Sequence, residues 1–408
     1  MKRNAVLLTV AALVVTSAVG RVVFVRAAHA ADLGAPSAGA PAFSERQERD
    51  AEIKVWMQAL AADPTSAAVK GQLAALHLQR AREGGSYDDY ATAEQYARES
   101  LKKRTNRNSK TAVTLVSALL AQHRFFEAQE VATEIVTLDP EIPQYRSLLG
   151  EVAMELGDYA TAGQMLDSVW SERTHLSVAP RLARWRELNG RTADARRILE
   201  TARDDALSRR DVARETKAWF EFRVGDLALR MSQPNRAERA FRGGLKIEPN
   251  DPRLLAAMAR LSMAQGNPRE AIIWGDRAIA VQLDPGTLGV VGDAYAATGD
   301  SAKAGEYYRT MEVAVTAQPG PFHRAWSLSL LDRGQRVDEV LAKATEELAQ
   351  RKDIYAYDLV AWALHCAHRD TDAAAMMRQA LRLGTVDPLL ARHDREINAS
   401  LTAGSRAN

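Results

Sequence analysis

From Phe43 almost to the C-terminus, apolar residues recur at three- and four-residue spacing with charged residues between them. That spacing is the mark of amphipathic helices, each burying one stripe against its neighbours. The breaks are short. A self-similar period runs through them. Aligning the small residue that opens every second helix gives Ala128, Ala162, Ala195, Ala237, Ala271, Ala304, Glu339 and Ala373. Successive differences are 34, 33, 42, 34, 33, 35 and 34, so one interval carries an insertion of about eight residues, placed within 203–215.

The same register accounts for other residues. Twelve positions before the marks stand Val116, Gly150, Ala183, Gly225, Ala259, Gly292, Ser327 and Ala361. All but Val116 are small, as close helix approach requires. Five positions before the marks, Gly157, Gly190, Gly266, Gly299 and Gly334 occupy the turn inside each unit. Glycine ends a helix there because it enters the left-handed conformation at little cost. His123 and His368 hold that position in two further units and are expected to be turn residues as well. Asp139-Pro140, Glu248-Pro249 and Asp284-Pro285 fall near unit ends, where proline stops one helix and helps start the next.

A period of about 34 residues built as two helices and their turns is that of tetratricopeptide repeats. Leu149-Gly150 with Ala162 and Leu166 resembles the consensus of that family. So do Val224-Gly225 with Ala237, Phe241 and Pro249, and Gly292 with Tyr295, Ala304 and Tyr308. The stretch from Asp353-Ile354-Tyr355 through Ala361-Trp362-Ala363-Leu364 to Gly384-Thr385 resembles the last unit of a group of bacterial exported repeat proteins. The resemblance implies an all-α, right-handed superhelical solenoid of antiparallel helix pairs, with first helices lining its concave side. The expected organisation is a signal peptide over 1–30, a flexible linker over 31–42 and an N-terminal capping helix over 43–65. A solenoid of about eight or nine units over 66–392 and a C-terminal cap and tail over 393–408 complete it. The first unit departs from the pattern, its turn lengthened by the run from Glu83-Gly84-Gly85 to Asp89.

The leader changes the functional picture. Met1-Lys2-Arg3 is basic, Ala5 to Gly20 is apolar and uncharged, and Ala28-His29-Ala30 supplies a small-x-small cleavage site. Cleavage after Ala30 is the expectation. Retention as an anchor is the alternative, but it would place Arg21 in the bilayer at a cost of roughly 2.5–3.5 kcal/mol. The chain has 54 basic and 52 acidic residues, and losing the leader removes Lys2, Arg3, Arg21 and Arg26. The remainder is slightly acidic, which argues against dominant attraction to nucleic acid or anionic lipid. Cys366 is the single cysteine, so no internal disulfide is available.

No motif of an enzyme or a nucleotide site is present: no phosphate loop, dinucleotide fingerprint, His-Glu-x-x-His or Gly-x-Ser-x-Gly. Ser100-Leu101-Lys102-Lys103 lacks the companions that would make its Ser-x-x-Lys meaningful. His365, Cys366 and His368 could ligate a metal, but three or four convergent ligands are needed, and the turn position of His368 supplies a simpler account. The expected function is therefore binding of another protein or peptide segment, without cofactor, catalysis or membrane insertion. Self-association into an array is the alternative, and metal binding a further one. The residues expected to point into the concave groove are Gln144, Ser147, Glu151, Glu155, Trp219, Phe222, Asp226 and Arg230. Arg253, Arg260, Asp293, Arg324, Tyr355, Asp358, Trp362 and His365 continue the line. Trp219 and Trp362 are expected either to be exposed there or to pack as ordinary core. Tetratricopeptide cochaperones grip C-terminal carboxylates with asparagine at one first-helix position. Here that position holds Ser117, Glu151, Arg184, Asp226, Arg260, Asp293, Leu328 and Trp362, which argues against a clamp of that type.

Overall fold

The computed structural model describes residues 45–84, 86–317 and 324–407. The expected signal peptide, the linker and the first two residues of the capping helix lie outside the described residues. Among the described residues the secondary structure is helical, with no strand. A first helix, α1 (Glu45–Ala62), precedes nine helix pairs. They are α2 (Ala67–Gly84) with α3 (Tyr87–Lys103), α4 (Ser109–Ala121) with α5 (Phe125–Leu138), and α6 (Pro143–Leu156) with α7 (Tyr159–Asp167). Next come α8 (Ala179–Leu188) with α9 (Thr192–Ser208), α10 (Arg214–Arg230) with α11 (Pro234–Ile247), and α12 (Pro252–Ala264) with α13 (Pro268–Val281). The last pairs are α14 (Pro285–Ala297) with α15 (Ser301–Ala317), α16 (Arg324–Leu331) with α17 (Val337–Gln350), and α18 (Ile354–Cys366) with α19 (Asp370–Ala380). The closing helix α20 (Pro388–Ala407) starts ahead of residue 393 and packs on α18 and α19.

The register is visible in the packing. Seven of the eight marked residues are buried alanines. The exception corrects the sequence reading: Glu339 is exposed and Val340 takes the buried place. The turn before it is one residue longer, with both Gly334 and Arg336 left-handed. At the turn position, all eight units have positive φ: the five glycines and His123, His368 and Ser232. The serine was not singled out by sequence, since hydroxyl residues carry no strong left-handed preference. The small residues on first helices sit where a Cβ would strike the partner helix. At Gly150 it would lie 2.6 Å from Leu166 Cγ, and at Gly292 2.6 Å from Tyr308 Cε1. The insertion within 203–215 extends α9 to Ser208 and then forms a short link into α10, rather than a separate loop domain.

Each pair packs on the next, and in most units a first helix also touches the following first helix, while second helices scarcely meet. First helices therefore form the inner layer of the coil. The winding brings distant segments together. The Lys352 N–H donates to the Leu156 carbonyl at 3.1 Å, and the Ile354 N–H to Tyr159 Oη at 2.9 Å. Arg46 reaches Glu248 at 3.2 Å, and the Arg214 N–H donates to Glu45 at 2.8 Å. These partners are 169 to 202 residues apart, five to six units, which is one turn of the superhelix. One hydrophobic core joins residues 153–240 to residues 288–397, whereas most of the buried apolar residues from Phe241 to Ala278 belong to other clusters. That continuity is made between coils, not along the chain. Stability in such an array sums over neighbouring interfaces, and here the coil-to-coil contact adds to that sum.

Candidate functional site

The inner face carries an ion network that spans two successive first helices, α8 and α10. Glu187 is almost fully buried, and its carboxylate lies 2.7 Å from both Arg184 and Arg230 and 3.5 Å from Arg223. Asp226 lies 2.5 Å from Arg230 and 3.4 Å from Arg223, with Arg260 of α12 at 3.8 Å. Burial alone would push both carboxyls up. The guanidinium charges outweigh it, holding Glu187 below the usual range and Asp226 at about 2. The local reason is helical spacing: Arg184 and Glu187 are three apart, Arg223 and Asp226 three, Asp226 and Arg230 four, so each group shares one face.

The network continues across the coil. Arg184 donates to Tyr355 Oη at 3.0 Å, with its guanidinium 5.5 Å from the ring centroid; the Arg324 guanidinium is 5.2 Å from the same ring. Tyr355 thus carries cation–π contacts from two arginines. Glu155 lies near this junction. Burial raises its carboxyl, and Asp353 and Glu151 add to the rise against Arg351 and Arg184. Glu151 pairs with Arg181 at 2.6 Å.

Glu151, Glu155, Asp226, Arg230, Arg260, Tyr355 and Arg324 are thus gathered on or beside the inner face. Three other expected groove residues are buried in contacts between helices. Ser147 is fully buried, its hydroxyl donating to the Gln144 carbonyl at 2.8 Å, because that position faces the partner helix. Asp358 is also fully buried. It binds His393 at 2.6 Å and Arg324, tying α20 and α16 to α18. Trp362 is 5% exposed. Its indole N–H donates to Asp332 at 3.0 Å, and its ring stacks on His393 at 4.2 Å. These three hold units together, and Trp362 also forms part of the wall of an open pocket with Asp332, His365 and Arg392. Trp219 is partly buried, edge-on to Phe220 at 5.2 Å, and Phe222 packs beside Phe241. Gln144 is within 3.3 Å of His175, Arg253 pairs with Asp251 and Glu215, and Asp293 accepts from Tyr308 Oη at 2.7 Å. Arg184, Glu187 and Arg223 were absent from the expected groove set. The signal available for Arg223 was its three-residue spacing from Asp226, and for Arg184 and Glu187 their three-residue spacing from each other.

His365, Cys366 and His368 share one open pocket with Asp332, Trp362 and Arg392, but their side chains do not converge on a metal position. His365 Nδ1 is bonded to Asp370 at 2.5 Å, and His368 is an exposed left-handed turn residue. Burial, with Asp332 and Glu396, pushes the Cys366 thiol up to about 11, away from the thiolate a metal needs. Among the described residues, no group of three or more His, Cys, Asp or Glu side chains is placed to hold a metal.

Fold and inner face together define a superhelical helix-pair repeat protein with a charged, self-bonded interior. The tetratricopeptide repeat model matches residues 113–169 and 222–286, and the repeats in those two stretches are of that type. A search of curated proteins finds no match. Among solved structures, one described as the functional characterization of Pseudomonas aeruginosa pilF is 16% identical. The match covers 57% of this chain and 96% of that one, with a TM-score of 0.40. Human IFIT1, solved as a dimer with m7Gppp-AAAA, is 14% identical over 83% of this chain and 87% of that one, with a TM-score of 0.46. PilW, described as a widely conserved type IV pilus biogenesis factor, is 14% identical over 65% and 98%, with a TM-score of 0.35. At these identities the similarity concerns helical-repeat architecture alone.

Proposed function

We propose that this protein is an exported, non-catalytic scaffold that holds a segment of another protein against its first-helix face. The observation that carries the reading is the inner row of charged side chains Glu151, Arg184, Asp226 and Arg260, presented by successive first helices, with Tyr355 of α18 set against Arg184. A row of mixed charge suits a polar, segmented peptide better than a polyanion. Tyrosine and arginine are among the residue types that dominate binding energy at interfaces. The basic, apolar and small-residue leader supports export, and among the described residues no helix is long and apolar enough to cross a membrane. A role in building cell-envelope complexes belongs to this proposal.

The test is proximity labelling in the native host with the label after Asn408, comparing the parent with Glu151→Lys/Arg260→Glu. Both side chains keep solvent access, but the change reverses the Glu151–Arg181 pair and the Arg260–Asp226 contact, so labelling is compared only after matched urea midpoints show the variant folded. Partners lost with the variant support the reading. An unchanged labelled set removes it. Trp362→Ala is unsuitable as a groove variant because Trp362 is core. N-terminal sequencing of the mature protein tests export, with Ala31 expected as the first residue.

A further inference from the structure

The contact between coils is built from repeat turns. Leu156 and Leu188 are the last residues of α6 and α8, where helix carbonyls lack intrahelical partners. Segments from one superhelical turn further on satisfy both: the Lys352 N–H at 3.1 Å from the Leu156 oxygen, and the Thr385 hydroxyl on the Leu188 oxygen. Tyr159 Oη accepts the Ile354 N–H, and the Arg382 guanidinium lies 4.9 Å from the Tyr159 ring centroid. The turn glycines beside these carbonyls are pressed against the same segments. A Cβ at Gly157 would overlap the Lys352 carbonyl and the Asp353 nitrogen, and one at Gly190 would lie 2.5 Å from the Gly384 oxygen. Gly266 and Gly299 have the same left-handed backbone but nothing within 4 Å. Further back along the coil, Gly84 and Tyr87 share a cavity with residues 281–286. The same seam brings Arg184 onto Tyr355 beside the buried Glu187 and the mostly buried Asp226, while Glu151 and Arg260 of the inner face keep solvent access.

We propose that this seam is an autoinhibitory latch: it holds the second coil against the Arg184, Glu187 and Asp226 network, and a partner segment docking at the exposed Glu151 and Arg260 reaches that network only when the seam parts. The proposal rests on the protein-binding reading above. Its polar contacts draw on helix-end carbonyls that water satisfies equally well once the coils separate, and the hydrophobic core the two coils share is the apolar surface that parting exposes for the partner segment to cover.

The test compares three paired variants of the full chain. Gly157→Ala/Gly190→Ala wedges the seam and strains two turns. Gly266→Ala/Gly299→Ala imposes the same backbone strain where space is open. Arg382→Ala/Thr385→Val removes seam contacts without touching either turn, and decides the matter if the wedge pair does not fold. Small-angle scattering reads the radius of gyration, and amide exchange reads Lys352 and Ile354, whose N–H groups bond only across the seam. Wedge and contact-removal pairs are expected to enlarge the radius and speed those amides by about tenfold or more relative to the open-space pair. Groove-dependent proximity labelling rises with them. Unchanged radius and exchange in a folded seam variant overturns the latch. Opening without more groove-dependent labelling makes the seam structural only, which also overturns it. If neither parent nor opened variants label any partner that depends on Glu151 and Arg260, the protein-binding reading itself falls, and autoinhibition with it.

Discussion

Gly225 and Gly305 are both helical glycines, on α10 and α15, and alanine should move their stabilities in opposite directions. A Cβ at Gly225 would stand 2.5 Å from Phe241 Cδ1 and 3.1 Å from Cζ. Phe241 is fully buried and packed beside Phe222 and the α12 leucines, so its ring has nowhere to retreat. Overpacking of this kind costs about 1–3 kcal/mol, and relief requires α10 and α11 to move apart. Alanine also gains about 1 kcal/mol of helix propensity, which offsets part of that cost. The net expectation is a loss of about 1–2 kcal/mol, since the clash involves two ring atoms rather than one. A Cβ at Gly305 meets only Arg309 Nη1 at 3.3 Å, the far end of a flexible side chain. The propensity gain then stands alone, and Gly305→Ala should stabilise by about 0.5–1 kcal/mol. Repeat arrays depart from two-state unfolding, so amide exchange within each unit is the assay, supported by urea midpoints. If Gly225→Ala stabilises its unit, the helix approach at this position is not as tight as the geometry requires, and the account of the small-residue row fails.

Acid should weaken the interior. Glu187 and Asp226 hold their protons more weakly folded than unfolded, so the unfolded chain binds more protons and stability falls as pH falls. The contribution of Asp226 is about 2 kcal/mol, fully present above an unfolded value near 4 and lost as pH drops toward 2. Asp226→Asn should flatten that slope in urea titrations run between pH 6 and pH 3. Glu155 has the opposite sign: its raised carboxyl opposes folding at neutral pH, so Glu155→Gln should raise the melting temperature at pH 7 and lose that advantage in acid. His123, Ser232 and His368 hold left-handed backbone that glycine adopts freely, so His368→Gly or Ser232→Gly should stabilise by about 1 kcal/mol, read as a higher urea midpoint.

The repeat was legible because its spacing follows from hard constraints. A buried alanine, a small residue opposite a large one and a left-handed turn each restrict residue choice, and together they fix the register. The slip at Glu339 shows the limit: a turn can take an extra residue at Arg336 without changing the composition of either helix. The inner face was only partly legible. Periodicity tells which stripe of a first helix turns inward, but Ser147, Asp358 and Trp362 show that inward positions also face partner helices. The coil-to-coil seam was not legible at all. It joins residues almost 200 apart, in part through main-chain atoms of Leu156, Leu188 and Lys352, which leave no residue signature, and the Tyr159, Arg382 and Thr385 side chains that share it follow no period of the repeat.

The most direct test of the account is site-specific photo-crosslinking in the native host. A photoreactive residue is placed at Arg260, solvent-accessible on the first-helix face, and in a second strain at Glu134, exposed on the outer helix α5. The account predicts a discrete protein adduct from position 260 and none of the same identity from position 134. Adducts from position 134 alone, or none from either, would contradict binding at the inner face.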